Sequence, residues 1–182
     1  ENKNPDEFLK LLKIDLFQDE IFVFSPKGDV SQLPMDSSPI DFAFDVHTQV
    51  GLHCTGAKVN GRIVPLNTKL KNGDSIEIIT SDNQSPNDAW LKIVKTAKAK
   101  SHIKKWIKKK QLNQSIKLGR EITEKGLRKF SKIKLLKDIR SNPEALGYNN
   151  EDLIYSEVAN GQLTVQDIIQ KYSPNENQLY FN

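Results

Sequence analysis

The sequence predicts an α+β fold: a small sheet wrapped over one helix, followed by an all-helical region. Three observations lead there. Five short runs of strand-forming residues lie between residues 20 and 80, set apart by Pro, Gly and Asn-Gly turns. One helix signal stands between the second run and the third. From about residue 92 to residue 172 the apolar residues recur at helical spacing instead.

Residues 1–19 hold Phe8, Leu9, Leu11, Leu12, Ile14, Leu16 and Phe17 behind a Pro5-Asp6-Glu7 helix start, so a short helix is expected. It is too short to bury its apolar face alone and is expected to dock on the sheet or continue a preceding domain. Glu20–Ser25 is an apolar strand, Pro26-Lys27-Gly28-Asp29 a turn, and Val30–Leu33 the returning strand. Ser38-Pro39 opens a helix, with a hydroxyl at the N-cap and Pro in the first turn. Asp41 suits its positive end. The helix carries Ile40, Ala43, Phe44 and Val50 on one side and is expected to run to Gly51. Ala57–Asn60 and Arg62–Val64 pair around Asn60-Gly61, a strong two-residue hairpin signal. The turn Asn72-Gly73-Asp74 leads into the last strand, Ser75–Thr80. The order ββαβββ fits a ubiquitin-like β-grasp over residues 20–80.

Ser81–Asp88 reads as a linker, extending to residue 91 with Ala89-Trp90-Leu91. A helical domain is expected at 92–172: one helix from about Lys92 to Lys110 with Val94, Ala97, Ile103, Trp106 and Ile107 inward, and a second from about Asn113 to Phe130 with Ile116, Ile122, Leu127 and Phe130. A third holds Ile133, Leu135, Leu136 and Ile139. Gly147 ends a short helical stretch. Asn149 or Asn150 caps a helix with Leu153, Ile154 and Val158 as its face, and Thr164 opens the last, with Ile168, Ile169 and Tyr172. Residues 173–182 read as a tail.

Composition narrows the function classes. A single Cys, Cys54, leaves no internal disulfide and no thiolate cluster for zinc. No apolar run approaches the roughly 20 residues that cross a bilayer, and no signal peptide is visible, so no membrane partner and a cytoplasmic location are expected. The net charge of +4 conceals an asymmetry: Lys92–Arg140 holds 18 Lys/Arg against 3 Asp/Glu, and the remainder is acidic. There is no Gly-rich phosphate loop, no His-Asp metal motif and no paired carboxylates at a plausible site. No cofactor, metal or catalytic residue is therefore expected. No Gly-Gly ends the sequence, which argues against a ubiquitin-like conjugation role.

The run Phe24-Ser25-Pro26-Lys27-Gly28-Asp29-Val30, then Leu33-Pro34, Ser38-Pro39-Ile40-Asp41-Phe42-Ala43-Phe44 with His47, Gly56–Pro65, Gly73-Asp74 and Glu77–Thr80 resembles the TGS domain of the RelA/SpoT-homologue family. Those are the bacterial stringent-response enzymes that make and degrade (p)ppGpp. The Trp90-Leu91 anchor, the turn at Gly161 and the stretch Val165–Ile169 are similar to the helical domain that follows TGS there. The likeness is strongest at 20–80 and weaker beyond 110. It implies a non-catalytic regulatory region, joined through residues 1–19 to a synthetase domain. The implied partners are deacylated tRNA, the ribosome and the synthetase/hydrolase domains of the same polypeptide. The family's synthetase and hydrolase signatures are missing from this stretch.

His47 is the first candidate. By helical angle it falls near Ile40 and Phe44, which fits a boundary histidine in a last helical turn. The resemblance implies a contact with the 3′ CCA end of uncharged tRNA, by stacking and hydrogen bonding. Asp45 places a negative charge beside it, and Leu52-His53 departs from the polar or basic residues of many relatives. Lys27 and Arg62, within the two turn motifs of the resemblance, and Lys98, Lys104, Lys105, Lys108 and Lys109 in the basic helix complete the RNA-binding set. A Lys-rich helix is also an ordinary solvated surface. His53 beside Cys54 has no third orienting group, so a loop histidine before a buried Cys is the expectation. His102 is either solvated or RNA-facing, and Trp106 is expected in the core. Two rivals stay open: a protein-interaction module, and a TGS-bearing piece of a tRNA synthetase or GTPase, which calls for a zinc or P-loop domain nearby.

Overall fold

The computed structural model describes residues 20–174, and the chain divides after Ile107 into two compact units. The helix expected within 1–19 and the tail beyond residue 174 lie outside the described residues.

In the first unit, β1 (Glu20–Phe24) and β2 (Val30–Pro34) form an antiparallel hairpin. Gly28, at φ +89, takes the left-handed position in its turn, and Ser25 Oγ accepts the Asp29 N–H at 3.1 Å. Further along, β3 (Cys54–Val59) lies between β4 (Arg62–Val64) and β5 (Ile76–Thr80), antiparallel to both. Asn60 and Gly61 both have positive φ, the backbone a two-residue turn needs to match strand twist. The two ladders meet where Phe24 and Ser75 form a parallel bridge, so β1 lies beside β5. This is the β-grasp order.

The helix under the sheet differs from the expectation. It is two helices, α1 (Pro39–Val46) and α2 (Thr48–Leu52), broken at His47. His47 takes extended backbone, ends α1, and caps α2 by accepting the Gln49 N–H on Nδ1 at 3.0 Å. Gly51 lies within α2 rather than ending α1. A Cβ there would come within 2.3 Å of the Phe44 ring, so the glycine is what lets α2 fold back on α1. Every residue from Pro39 to Phe44 is buried. Phe42 packs with Ile21, Val23, Leu33, Ala57 and Ile76 of the strands. Phe44 packs with Trp90, Val94, Ala99 and Ile103.

Those last four residues belong to the segment expected to be linker and helix start. It is ordered against the β-grasp. Ser81 N–H donates to the His53 carbonyl at 3.0 Å, and α3 (Asp88–Ile93), capped by Asn87, buries Trp90. The basic helix begins at Ala97 rather than Lys92, because Val94 is extended and Thr96 Oγ1 accepts the Ala99 N–H as a cap. It then runs unbroken as α4 (Ala97–Lys129), one helix of 33 residues where two were expected. No Gly or Pro stands between Lys110 and Asn113, and Gln111, Leu112 and Gln114 are good helix formers, so nothing stops it there.

In the second unit the later turns of α4 pack with α5 (Leu136–Ser141), α6 (Glu151–Ala159) and α7 (Val165–Tyr172). Short 3-10 turns precede α5 and α6 at Ile133–Leu135 and Pro143–Leu146. Asn150 caps α6, and Thr164 with Asp167 forms a capping box on α7. Leu127, Leu135, Ile139, Ile154, Tyr155, Val158, Ile168 and Ile169 are the core. Ile122 and Leu153, expected on the apolar faces, are 40% and 38% exposed. The buried stripe of α4 runs instead through Gly119, Thr123 and Leu127, which share one face at helical spacing.

Candidate nucleic-acid interface

Two of the sequence candidates, Lys27 and His47, border one cleft of the β-grasp. The Phe24–Ser75 bridge, the Val59–Ile76 pair and the Val59–Arg62 pair stand in one row across the strands. β1 runs parallel to β5 past that row, so the Lys27 turn lies toward Ile78, while Arg62 stays level with Ile76 beside the Asn60-Gly61 turn, which points the other way. Lys27 and Arg62 are both exposed. An apolar cleft of about 210 Å³ opens beside the Lys27 turn, lined by Pro26, Phe42, Val46, Val50, Ile76 and Ile78, with Ser25 and Glu77. Pro26 adjoins Lys27 and Val46 adjoins His47, so the turn and the helix corner border one concavity.

His47 is exposed, not on the apolar side as its helical angle implied, because the helix has already ended. With Nδ1 accepting from Gln49 N–H, the neutral ring carries its proton on Nε2. The capped corner holds the imidazole by one edge and leaves a donor on the other. Asp45, also exposed, is the nearest acid in sequence.

The basic helix supplies the second group. Lys98, Lys104 and Lys105 lie on the face of α4 opposite the buried Ala99 and Ile103, and all three are exposed. Lys108 and Lys109 are exposed at the start of the second unit. Among the described residues, none of these five lysines has a carboxylate within salt-bridge distance. His102 is half-buried: its ring stacks on Phe44 at 5.9 Å between centroids and 3° between planes. Trp106 is half-buried.

His53 and Cys54 do not form a reactive pair. His53 Nδ1–H donates to the Gln84 carbonyl at 3.0 Å. Cys54 is fully buried, and that burial pushes its thiol up to about 11, which leaves it protonated and unreactive. Among the described residues no group of three His, Cys, Asp or Glu could hold a metal, and no helix is long and apolar enough to cross a membrane.

Sequence reasoning gave Asp41 too small a part. Its side chain, 1% exposed, does more than face a helix dipole. Oδ2 accepts from Ser38 N–H at 2.8 Å and Ser38 Oγ–H at 2.9 Å. Oδ1 accepts from Thr96 N–H and Thr96 Oγ1–H, each at 2.9 Å, and Lys95 N–H is shared between both oxygens. The partners of Oδ1 lie 54 and 55 positions away, and no local pattern announces them.

Residues 21–80 match the model of the TGS domain, and residues 106–172 match that of the RelA/SpoT AH domain. The chain is 44% identical to a GTP pyrophosphokinase of Myxococcus xanthus, over 96% of this chain and 24% of that protein. It is 48% identical to a guanosine-3′,5′-bis(diphosphate) 3′-pyrophosphohydrolase of Aquifex aeolicus, over 83% of this chain and 19% of that protein. A GTP pyrophosphokinase of Brucella ovis is 41% identical over 96% and 23%. The chain thus spans a quarter or less of the length of these curated relatives. A β-grasp matched as TGS, a helical unit matched as AH, and identities of this size over most of its length place the chain in the RelA/SpoT family, where it resembles the TGS and AH regulatory region of the (p)ppGpp enzymes.

Proposed function

We propose that this chain is the non-catalytic sensing region of a stringent-response (p)ppGpp synthetase/hydrolase, a GTP pyrophosphokinase, acting in the cytoplasm. It binds the 3′ CCA end of deacylated tRNA on the ribosome and passes that event to the catalytic domains of the same polypeptide. The observation that carries this reading is the His47 corner, where the Gln49 cap leaves an exposed imidazole with an outward donor between the Lys27 turn and the apolar cleft. An imidazole so held can stack on a terminal base and donate to a phosphate or a 2′-OH, a contact worth about 1–3 kcal/mol per base. Arg62 and the exposed lysines Lys98, Lys104, Lys105, Lys108 and Lys109 supply phosphate contacts, each adding about 0.7–0.9 to the log–log salt slope. Regulation then requires a coupling free energy: tRNA and the active catalytic state must favour the same conformation.

Electrophoretic retention of deacylated tRNA tests the contact. Retention by the chain is expected to fall in His47→Glu and in a Lys104→Glu/Lys105→Glu/Lys108→Glu variant. Equal retention by all three proteins ends the RNA reading.

A second reading, a surface for the parent's own catalytic half, has one observation in its favour. Phe22 and Ile63 stand 47% and 74% exposed on the strands. Capture of separately expressed catalytic domains that survives high salt supports it, because apolar contacts outlast screening and phosphate contacts do not.

A further inference from the structure

We propose that Asp41 is a positioning residue that couples the His47 corner to the basic helix, an inference that rests on the RNA reading above. Asp41 stands in the first turn of α1, and His47 ends that same short helix. Lys98 stands in the first turn of α4. The Asp41 carboxylate is divided between the two helix starts. Oδ2 closes the N-terminus of α1 through Ser38, and Oδ1 takes the N–H and hydroxyl of Thr96, whose oxygen in turn caps Ala99 N–H. Lys95 N–H bridges both oxygens at 3.0 and 3.1 Å.

Five donors converge on two oxygens: three are backbone N–H groups, which cannot accept, and the two hydroxyls already accept from the Asp41 and Ala99 N–H groups. Only an ionised carboxylate presents acceptors on both sides. An Asn in the same space turns an NH2 group toward one helix start or the other and sets donor against donor. A Glu needs room that a site 1% exposed does not have. The joint therefore fixes the first turns of α4 against the β-grasp. With it, the His47 corner and Lys98, Lys104 and Lys105 are presented to one RNA in a set geometry. The gain is one of effective concentration: the second contact is made without a further search.

The test uses the full chain with Asp41→Asn, and Thr96→Val as the milder variant should the first not fold. The RNA probe is a synthetic tRNA acceptor minihelix ending in CCA with a free 3′-OH. Hydrogen exchange reads the joint itself: in Asp41→Asn the amides of Lys95 and Thr96, which lose their bonds to a charged group, are expected to exchange about tenfold or more faster, and in Thr96→Val the Ala99 amide, which loses its capping hydroxyl, is expected to exchange faster. Minihelix affinity reads the positioning. Asp41→Asn is expected to weaken binding about tenfold in the otherwise native chain and less than twofold in a Lys104→Ala/Lys105→Ala background, because there is then little left on the helix to position. A residue that only stabilises the fold costs the same factor in both backgrounds, and that result overturns the proposal. Unchanged exchange at Lys95–Ala99 overturns it too. If the native chain does not retain the minihelix, the RNA reading falls and takes the coupling with it, while faster exchange still identifies Asp41 as the joint between the helices.

Discussion

Ser38 in the first unit and Thr123 in the second are both hydroxyls almost wholly shut away from solvent. The Ser38 oxygen gives its proton to Asp41 Oδ2 and accepts the Asp41 N–H. The Thr123 oxygen has no partner. The contrast is one of emphasis between the units. The first adds to its apolar cores a dense set of directional bonds: β-ladders, turns closed by Ser25 and Asn60, and the five-donor carboxylate. The second has its helix caps but relies at two points of α4 on close approach. At Gly119 a Cβ would stand 1.6 Å from the Tyr155 carbonyl oxygen, and at Gly126 it would stand 2.6 Å from a Val165 methyl. Directional bonds tolerate little change of chemistry. Close packing of backbones tolerates little change of size. The two units should therefore fail to different substitutions. Both tryptophans, Trp90 and Trp106, lie in the first unit, so their fluorescence follows it, while circular dichroism follows the helices of both.

The largest effect is expected from size in the second unit. Gly119→Ala sets a methyl against backbone, which cannot rotate away. We expect a loss of about 3 kcal/mol or more, at the upper end for overpacking. Gly126→Ala meets a side chain that can shift, and it gains helix propensity, so its net cost should be about 1 kcal/mol. Urea unfolding followed by circular dichroism measures both, with the tryptophan transition unmoved. A tryptophan transition that shifts with Gly119→Ala breaks the comparison.

Next comes a test by pH in the first unit. Cys54 is raised from 9.0 to about 11 by burial. Between those values the unfolded chain has released the thiol proton and the folded chain still holds it, so stability falls as pH rises across that window and is fully present below pH 9. The span corresponds to a loss on the order of 2–3 kcal/mol. The urea midpoint of the tryptophan transition at pH 8 and at pH 10.5 should show it. In Cys54→Ala the midpoint is lower at pH 8, yet its further fall at pH 10.5 should be smaller than in the native chain.

A single swap applied twice sharpens the contrast. Thr96→Val removes a bond to a carboxylate and a helix cap, and should cost about 2 kcal/mol. Thr123→Val removes a hydroxyl that is buried without a partner, and should stabilise the second unit by about 1 kcal/mol. The same chemistry with opposite signs is the expected result. A loss at both sites means that Thr123 has found a partner.

The contrast also explains which parts were legible in the sequence. The first unit's turns are written in residues with few alternatives: Pro26-Lys27-Gly28-Asp29, Ser38-Pro39 and Asn60-Gly61 each name a backbone geometry. The strands, their order and the helix start were read from these. What stayed hidden depended on distant partners. The break at His47 needs Gly51 to admit the Phe44 ring, and the placement of Lys95 and Thr96 needs Asp41, 54 and 55 positions earlier in the chain. In the second unit the caps at Gly147, Asn150 and Thr164 were legible, but the buried face of α4 rested on periodicity alone, which set Ile122 on it instead of Thr123. Periodicity also missed that glycines, not large residues, mark the contact face. For the candidate site, the resemblance singled out His47, Lys27 and Arg62. That the Lys27 turn and the His47 corner border one cleft depends on the pairing of β1 with β5, which no single segment encodes.

The smallest expected effect separates two roles in one residue. His47 caps α2 through Nδ1, a bond that any good N-cap acceptor can replace. His47→Ala removes the cap and should cost about 0.5–1 kcal/mol, read in the tryptophan transition. His47→Asn restores an acceptor in the same place and should recover most of that loss. Binding of deacylated tRNA should not recover with it, because Asn supplies neither the imidazole face nor the outward Nε2–H. A chain that is as stable as the native one yet retains less tRNA assigns His47 to the RNA. A chain in which tRNA retention returns together with the cap reduces His47 to a helix end, and leaves recognition to Lys27, Arg62 and the lysines of α4.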